Sequence, residues 1–264
     1  MQILKPGISL EGFFGSVSEA HDCVLLLDYD GTLAPFHIDR DRAVPYRGVI
    51  EVIESIMQSE RCRVVLISGR EINDIVRLVP LKQQYEIWGS HGWERKMPDG
   101  SYVAPLLGDD IAASLEEAYR NLVDEELSSR CERKPASLAF HWRGLTPDEI
   151  ARLRNLVYDQ WGPIAEKSGL LIQDFSGGTE LRPPGRDKGY AVKTILSEYR
   201  EKPAVAYLGD DRTDEDAFRA LGSKGLRVLV TEEFHPTAAD IWLRPPDELV
   251  EFLGMWAEAC GGEQ

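Results

Sequence analysis

Three stretches of the chain carry unbroken apolar runs of strand length, and each run stops at a polar tip. Val24–Leu27 leads into Asp28-Tyr29-Asp30-Gly31, Val64–Ile67 into Ser68-Gly69-Arg70, and Val205–Leu208 into Gly209-Asp210-Asp211. Consecutive apolar residues without alternation mark strands buried on both faces, as in a parallel sheet covered by helices. Helical spacing appears between and around them. Leu10, Phe13, Phe14 and Val17 precede the first run, while Val49, Val52, Ile53 and Ile56 separate the first from the second. Glu71 to Leu78 resumes a helical pattern until Pro80, Asp187-Lys188-Gly189 opens a helix through Leu196, and Asp247 to Ala259 closes the chain as an amphipathic helix. Strand, polar tip and helix in repeated order predict a doubly wound α/β layer. Glu86 to Glu94 reads as a further strand-like piece broken by glycines, Arg227–Val230 as the last strand, and Ala34 to Pro45 as a loop.

The texture changes after the turn Pro98-Asp99-Gly100. Tyr102 to Leu107 predicts a strand, and Ile111 to Leu127 a long helix with Leu115, Ala118, Tyr119 and Leu122 on one face. Ser137 to Arg143 alternates as a half-buried strand does. Thr146-Pro147-Asp148-Glu149 opens the next helix with Thr at the N-cap, Pro at the first position and Glu at the third. Leu170–Phe175 and Thr179–Arg182 predict strands around Gly177-Gly178. Two helices against an antiparallel sheet make a small α+β lobe, placed at residues 97–182, with the main layer split into 1–96 and 183–264. A length of 264 residues accommodates such a core and an inserted lobe.

Composition narrows the partners. A net charge of −15 argues against nucleic acid, whose phosphates demand clustered Lys and Arg. It also makes grouped Asp residues costly unless a cation neutralises them. Cys23, Cys62, Cys131 and Cys260 are scattered without a paired zinc spacing, which suits a reducing compartment. Met1 to Leu10 holds no apolar run long enough for a signal peptide or membrane span. The expectation is a soluble cytoplasmic protein with no membrane or nucleic-acid partner. Its oligomeric state is left open, with a monomer as the default.

The chemistry follows from the convergence of the tips. In a parallel sheet the ligand crevice lies beyond the carboxyl ends of the strands. Asp28/Asp30, Ser68/Arg70 and Asp210/Asp211/Asp214 would meet there, and an oxygen-liganded Mg²⁺ resolves the repulsion among carboxylates while leaving room for water and phosphate. With the metal bound, Asp28 can attack phosphorus as a nucleophile, being last on its strand and most rigidly aimed. Asp30 can protonate the leaving alkoxide and then activate water. Ser68 and the amides around Gly69 can hold phosphoryl oxygens at a helix N-terminus, and Lys188 can bridge phosphate and Asp28. Taken singly, each has an ordinary explanation: Ser68 a helix cap, Lys188 a solvated surface lysine, Asp210 to Asp216 an acidic helix start. Their joint order carries the argument.

These residues resemble a known family. Asp-Tyr-Asp-Gly-Thr-Leu at 28–33, Ser-Gly-Arg at 68–70, Lys188, and Gly-Asp-Asp-Arg-Thr-Asp-Glu-Asp at 209–216 look like the four motifs of haloacid-dehalogenase-type phosphatases. Gly89-Ser90-His91-Gly92-Trp93-Glu94, Lys134 followed by His141-Trp142-Arg143, and Glu180-Leu181-Arg182-Pro183 narrow the resemblance to trehalose-6-phosphate phosphatases. The resemblance implies a Rossmann-like core with a mobile cap inserted between the second and third motifs. It implies Asp28 as phosphoryl acceptor and Asp30 as general acid/base. Mg²⁺ would be held by Asp28, the Asp30 carbonyl, Asp210 and Asp214, the last directly or through water. Ser68, Gly69 and Lys188 would bind the phosphoryl group, with Arg70 supporting that loop. His91, Glu94, Lys134, His141, Arg143, Glu180 and Arg182 would contact substrate, most of them at sugar hydroxyls facing the cap. The segment Pro183-Pro184-Gly185-Arg186 is a short Gly/Pro linker where the hinge would lie.

The implied activity is hydrolysis of trehalose 6-phosphate through an aspartyl-phosphate. Three rivals stand beside it. One is the same chemistry on another sugar phosphate, such as a glucosylglycerate or sucrose phosphate. The second is a phospho-receiver signalling module, which needs neither Asp30 nor an inserted lobe. The third is a domain that only binds sugar phosphate, against which the full set Asp28, Asp30, Lys188 and Asp210 argues.

Overall fold

The computed structural model describes residues 1–122, 125–175 and 177–261, without the side chains of residues 125 and 126. In chain order the elements begin β1 (Gln2–Ile3), α1 (Leu10–Glu19), β2 (Cys23–Leu27), α2 (Val49–Gln58), β3 (Cys62–Ile67), α3 (Ile72–Leu78), β4 (Glu86–Gly89), β5 (Glu94–Lys96) and β6 (Tyr102–Val103). They continue with α4 (Asp109–Arg120), α5 (Glu125–Ser128), β7 (Cys131–Lys134), β8 (Ser137–His141), α6 (Pro147–Ser168), β9 (Leu171–Phe175) and β10 (Gly178–Arg182). The last are α7 (Lys188–Ser197), β11 (Ala204–Gly209), α8 (Asp214–Leu221), β12 (Leu226–Val230), β13 (Ile241–Leu243) and α9 (Asp247–Cys260). The chain divides into two compact units, Met1–Val103 with Asp187–Gln264, and Ala104–Arg186.

The first unit holds a sheet ordered β1-β13-β12-β11-β2-β3-β4-β5-β6. From β13 to β4 neighbouring strands are parallel. Along β2 the side chains alternate between two apolar layers. Leu25 and Leu27 join Ile53 of α2 and Phe252 of α9 on one face, while Val24 and Leu26 join Val192 of α7 and Phe218 of α8 on the other. The run Val24–Leu27 is unbroken because both faces are covered, as its composition predicts. From β2 the chain winds outward through β3 and β4 in one direction, and from β11 through β12 and β13 in the other. The reversal lies between β2 and β11, the place where a doubly wound sheet opens its crevice.

Several short elements differ from the sequence reading. Arg227–Val230 is followed by one more strand, β13, which pairs in parallel with β12 and antiparallel with β1. The broken piece at Glu86–Glu94 is a hairpin, in which β4 turns through a single helical turn at Ser90–Gly92 into antiparallel β5. Of Tyr102–Leu107 only Tyr102–Val103 is strand, and it pairs with β5 on the edge of the larger sheet. Strands of two or three residues are too short to show a period.

The second unit is an antiparallel sheet ordered β7-β8-β10-β9. One face, with Leu138, Phe140 and Leu181, packs under Leu115 and Ala118 of α4 and Val157 and Trp161 of α6. Period two sends Lys134, Ser137, His141, Glu180 and Arg182 to the opposite face. Strand β7, with the charged sequence Cys-Glu-Arg-Lys, escapes hydrophobic pattern reading because it is an edge strand. Helix α4 ends at Arg120, and the remainder of the predicted Ile111–Leu127 helix includes residues 123 and 124, which lie outside the described residues. Helix α6 begins as expected. Thr146 Oγ1 accepts from Glu149 N–H at 3.4 Å, and Glu149 Oε2 accepts from Thr146 N–H at 2.8 Å. Such a cap contributes about 1 kcal/mol to helix stability.

Candidate active site

The site is built where β2 and β11 end side by side. Asp28 follows β2, and its N–H still donates to the Leu208 carbonyl at 2.9 Å, so the ladder carries it to the sheet edge. Beyond it the Tyr29 carbonyl accepts from the amides of Thr32, Leu33 and Ala34, closing a tight turn. Gly31 makes that turn at φ +83°, and a Cβ there would run into the carboxylate of Asp210. Only glycine permits both the backbone angle and the approach of the two strand ends.

Lys188 opens α7, which is capped by Asp187 accepting from the Tyr190 amide at 2.7 Å. Its side chain is 3% exposed, and Nζ donates to Asp28 Oδ1 at 2.6 Å and to Asp214 Oδ1 at 2.7 Å. Burial disfavours the ammonium, but Asp214 and Asp28 outweigh it and hold the Lys188 pKa above its ordinary value. Asp214 sits at the start of α8. Its Oδ1 also accepts from Tyr207 OH at 2.5 Å, and its Oδ2 from the amides of Asp210 at 3.2 Å and Asp211 at 3.0 Å. Protein donors thus occupy both of its oxygens.

Asp28, Asp210 and Asp214 each present a carboxylate oxygen within 4.8 Å of the others, all buried, and this group could hold a metal ion. Burial, then the charge of Asp214, pushes Asp28 up to about 7 against the pull of Lys188. Burial and the charge of Asp28 push Asp210 well above the carboxylate range. One ammonium among three buried carboxylates leaves an excess of negative charge, and a divalent cation with a preference for oxygen fits that donor set. Asp214 is also the member held by most protein donors, from Lys188, Tyr207 and two amides.

The ladder that pairs Leu27 with Leu66 brings Asp28–Asp30 and Ser68–Arg70 off adjacent strands together. Ser68 is buried in an extended loop: its N–H donates to the Trp88 carbonyl at 2.9 Å, and its Oγ accepts from the Arg70 amide at 3.2 Å. Helix α3 starts only at Ile72, with Glu71 at its cap, so Ser68-Gly69 is not the helix N-terminus that its spacing suggested. Arg70 forks onto Asp30, with Nε to Oδ2 and Nη2 to Oδ1 both at 2.6 Å. Ser90 and His91 take left-handed backbone angles, φ 48° and 53°, and their amides bond to the carbonyls of Arg70 and Ser68 at 2.8 and 3.0 Å. The His91 ring lies over Gly69, where a Cβ would stand 2.5 Å from its Nε2. Glu94 is held by Ser90 Oγ and Tyr102 OH, each at 2.8 Å.

In the second unit, Glu180 Oε1 accepts from Lys134 Nζ at 3.0 Å and Ser137 Oγ at 2.7 Å. His141 Nε2 lies 2.8 Å from Glu132 Oε2, and its ring meets Phe175 edge-on. Burial lowers the His141 pKa, with Glu132 opposing and Lys134 and Arg143 assisting. Arg143 lies against Gly177. Arg182 donates to Gln173 Oε1 at 3.0 Å through Nε and to the Arg186 carbonyl. Of these residues Glu132, Lys134, Ser137, His141, Gln173, Glu180 and Arg182 share the polar face of the small sheet. Tyr207, Ser137, Glu132 and Gln173 were not singled out in the sequence: Tyr207 stands in an apolar strand run, and the others are ordinary polar strand residues until the ladder aligns them.

A model of the trehalose-phosphatase family matches residues 26–241. The chain is 32% identical over 246 residues to a protein of Mycobacterium marinum named trehalose-phosphate phosphatase, covering 88% of this chain and 61% of that relative. It therefore spans less than two thirds of the mycobacterial protein's length. To an Arabidopsis thaliana protein named probable trehalose-phosphate phosphatase H it is 31% identical over 258 residues, covering 90% of this chain and 72% of the other. The solved C-terminal domain of a C. albicans trehalose-6-phosphate phosphatase shares the fold, with a TM-score of 0.82 over 98% of this chain and 99% of that one at 22% identity. The family match over most of its length, with relatives above 30% identity, assigns this chain to the trehalose-phosphatase family.

Proposed function

We propose that this chain is a Mg²⁺-dependent phosphomonoesterase that hydrolyses trehalose 6-phosphate to trehalose and phosphate through an aspartyl-phosphate on Asp28. The observation that carries the reading is the buried ammonium of Lys188, 2.6 Å from Asp28 and 2.7 Å from Asp214, beside Asp210. Family membership supports the choice of substrate.

In this reading the Asp28 carboxylate oxygen bonds to phosphorus as the phosphorus–oxygen ester bond breaks, and the departing sugar alkoxide takes its proton from the Asp30 carboxyl group. Asp30, now a carboxylate, accepts a proton from water, whose oxygen bonds to phosphorus while the aspartyl oxygen leaves. Phosphate departs, and both carboxyl groups return to their starting states. Mg²⁺, held by Asp28, Asp210 and the Asp30 carbonyl, with Asp214 directly or through water, would offset the charge that otherwise repels a phosphate from Asp28. Lys188 would bind a phosphoryl oxygen while orienting Asp28, and Asp214 would hold Lys188 in place. Ser68 and the Gly69 amide would complete the phosphoryl contacts. Lys134, His141, Arg143, Glu180 and Arg182 are assigned to sugar hydroxyls, a role suited to the polar face that Lys134, His141, Glu180 and Arg182 share.

The four cysteines are unpaired, as in a reducing compartment, and among the described residues no helix is long and apolar enough to cross a membrane. The unpaired cysteines fit a cytoplasmic location, which is proposed together with a monomer as the default state. The test is phosphate release from trehalose 6-phosphate, sucrose 6-phosphate and glucosylglycerate phosphate, with Mg²⁺ and with chelator. Mg²⁺-dependent turnover with a kcat/KM highest for the trehalose ester is expected. Equal rates on several disaccharide esters would reject the substrate, and full activity of Asp28→Asn would reject the mechanism.

A further inference from the structure

We infer that Arg70 is the positioning residue for Asp30: it acts through the carboxyl group that exchanges protons with the leaving alkoxide and with water, fixing its orientation. The inference rests on the assignment of Asp30 as the acid/base.

Three observations carry it. The Arg70 side chain is 5% exposed and that of Asp30 is 19% exposed, so the carboxylate is the more accessible end of the pair. The fork from Nε and Nη2 onto the two oxygens, both at 2.6 Å, fixes the plane and rotation of that carboxylate. Each oxygen retains a second lone pair on its far side for a proton in transit. The remaining guanidinium nitrogen, Nη1, is buried, so the two nitrogens that form the fork are the ones turned to Asp30.

The surroundings hold Arg70 in that orientation. Its amide donates to Ser68 Oγ at 3.2 Å, and its carbonyl accepts from the Ser90 amide at 2.8 Å. The Tyr29 ring lies 5.7 Å from the guanidinium carbon, and Tyr29 OH is itself tied to the Ala43 carbonyl at 2.5 Å. Asp30 stands in the bridge to Ala34, with Gly31 N–H donating to Ala34 O at 2.7 Å, so its backbone is also fixed. Within this frame the carboxylate has one orientation. A lysine would keep the charge, but as a point donor it would leave the carboxylate plane free to rotate.

The inference predicts a dependence on the leaving group. An alkyl ester such as trehalose 6-phosphate needs a proton delivered as its ester bond breaks, whereas p-nitrophenyl phosphate leaves as a stabilised phenolate. Since kcat/KM reports the steps up to the first alcohol release, it isolates Asp30 acting as an acid. Arg70→Lys is expected to lower kcat/KM for the alkyl ester at least about tenfold more than for the aryl ester, a part of the ~10²–10⁴-fold contribution of general acid catalysis. In an Asp30→Asn background the same substitution should change kcat/KM for the alkyl ester less than about threefold, because the residue it acts through is gone. Equal losses on both esters, or an undiminished effect of Arg70→Lys after Asp30→Asn, would overturn the inference. The comparison runs on any alkyl phosphate the unaltered chain hydrolyses, so a wrong sugar assignment would show in the unaltered enzyme and leave this result separate. Mg²⁺-induced shifts in melting temperature should be the same for the Arg70→Lys variant and the unaltered chain, which a role in metal binding would not allow.

Discussion

Lys188 Nζ lies 2.6 Å from Asp28 Oδ1 in a site where both side chains are almost wholly buried. The two residues are 160 positions apart and arrive from opposite segments of the same unit. A buried carboxylate next to two others is tolerable only while the ammonium stands among them, and the ammonium is tolerable only for the same reason.

Removing the cation should therefore be costly twice over. Lys188→Met is expected to lower kcat/KM by about 10²–10³-fold, the usual loss when one charge-stabilising donor is removed. In the presence of EDTA it should also destabilise the first unit by about 3–5 kcal/mol, because three buried carboxylates lose their counter-charge. Urea unfolding with and without Mg²⁺ measures this, and the deficit should shrink when the cation is added. Equal stability of variant and parent in EDTA would refute the account.

Gly31→Ala is expected to weaken metal binding. The new methyl group would meet the Asp210 carboxylate at a backbone angle of φ +83°, and a left-handed alanine costs about 1–2 kcal/mol in its own right. Titration of Mg²⁺ followed by melting temperature should show a midpoint raised at least about tenfold, the size of a perturbed ligand environment. An unshifted midpoint would mean that Asp210 is not a ligand.

Trp161 is fully buried beneath the small sheet, and its Nε1 donates to the Ala118 carbonyl at 3.2 Å. Trp161→Ala should cost about 3–5 kcal/mol through the lost burial and the cavity left behind. The loss should fall on the 104–186 unit, visible as early hydrogen exchange in α4 and α6 while β2 and β11 stay protected. Uniform loss of protection across both units would show that they unfold together.

The pH dependence of that unit should follow His141. Its pKa is lowered in the folded chain by burial, so the unfolded chain binds the extra proton first as pH falls. The stabilising contribution is complete above the unfolded value of about 6.5 and is lost as pH drops from there toward the folded value. Thermal melts between pH 8 and pH 5 should show a decline that His141→Gln reduces. Glu132, Lys134 and Arg143 face the ring, so the same comparison in Glu132→Gln should show a steeper decline, its opposing charge having been removed. A decline of the same slope in all three chains would assign it to other groups.

How much of this was legible beforehand depended on how local the cause is. The run Val24–Leu27 announced a strand covered on both faces because each residue reports its own burial. The Thr146–Glu149 cap was readable because its partners are three residues apart. The order of Asp28, Asp30, Ser68, Lys188, Asp210 and Asp214 along the chain was enough to suggest a phosphoryl-transfer site, since strands of a wound sheet deliver their tips to one edge. Strands β1, β7 and β13 were missed, because two to four residues without an apolar period carry too little signal.

What only the tertiary structure decided is pairing. It turned Arg70 onto Asp30, 40 positions away, and spent the oxygens of Asp214 on Lys188, Tyr207 and two amides. It set Tyr102–Val103 at the edge of the larger sheet. Residue type and spacing determine which groups can ionise, bond or turn the chain. Which of them meet depends on strand register and helix docking, and those are fixed by the packing of the whole unit.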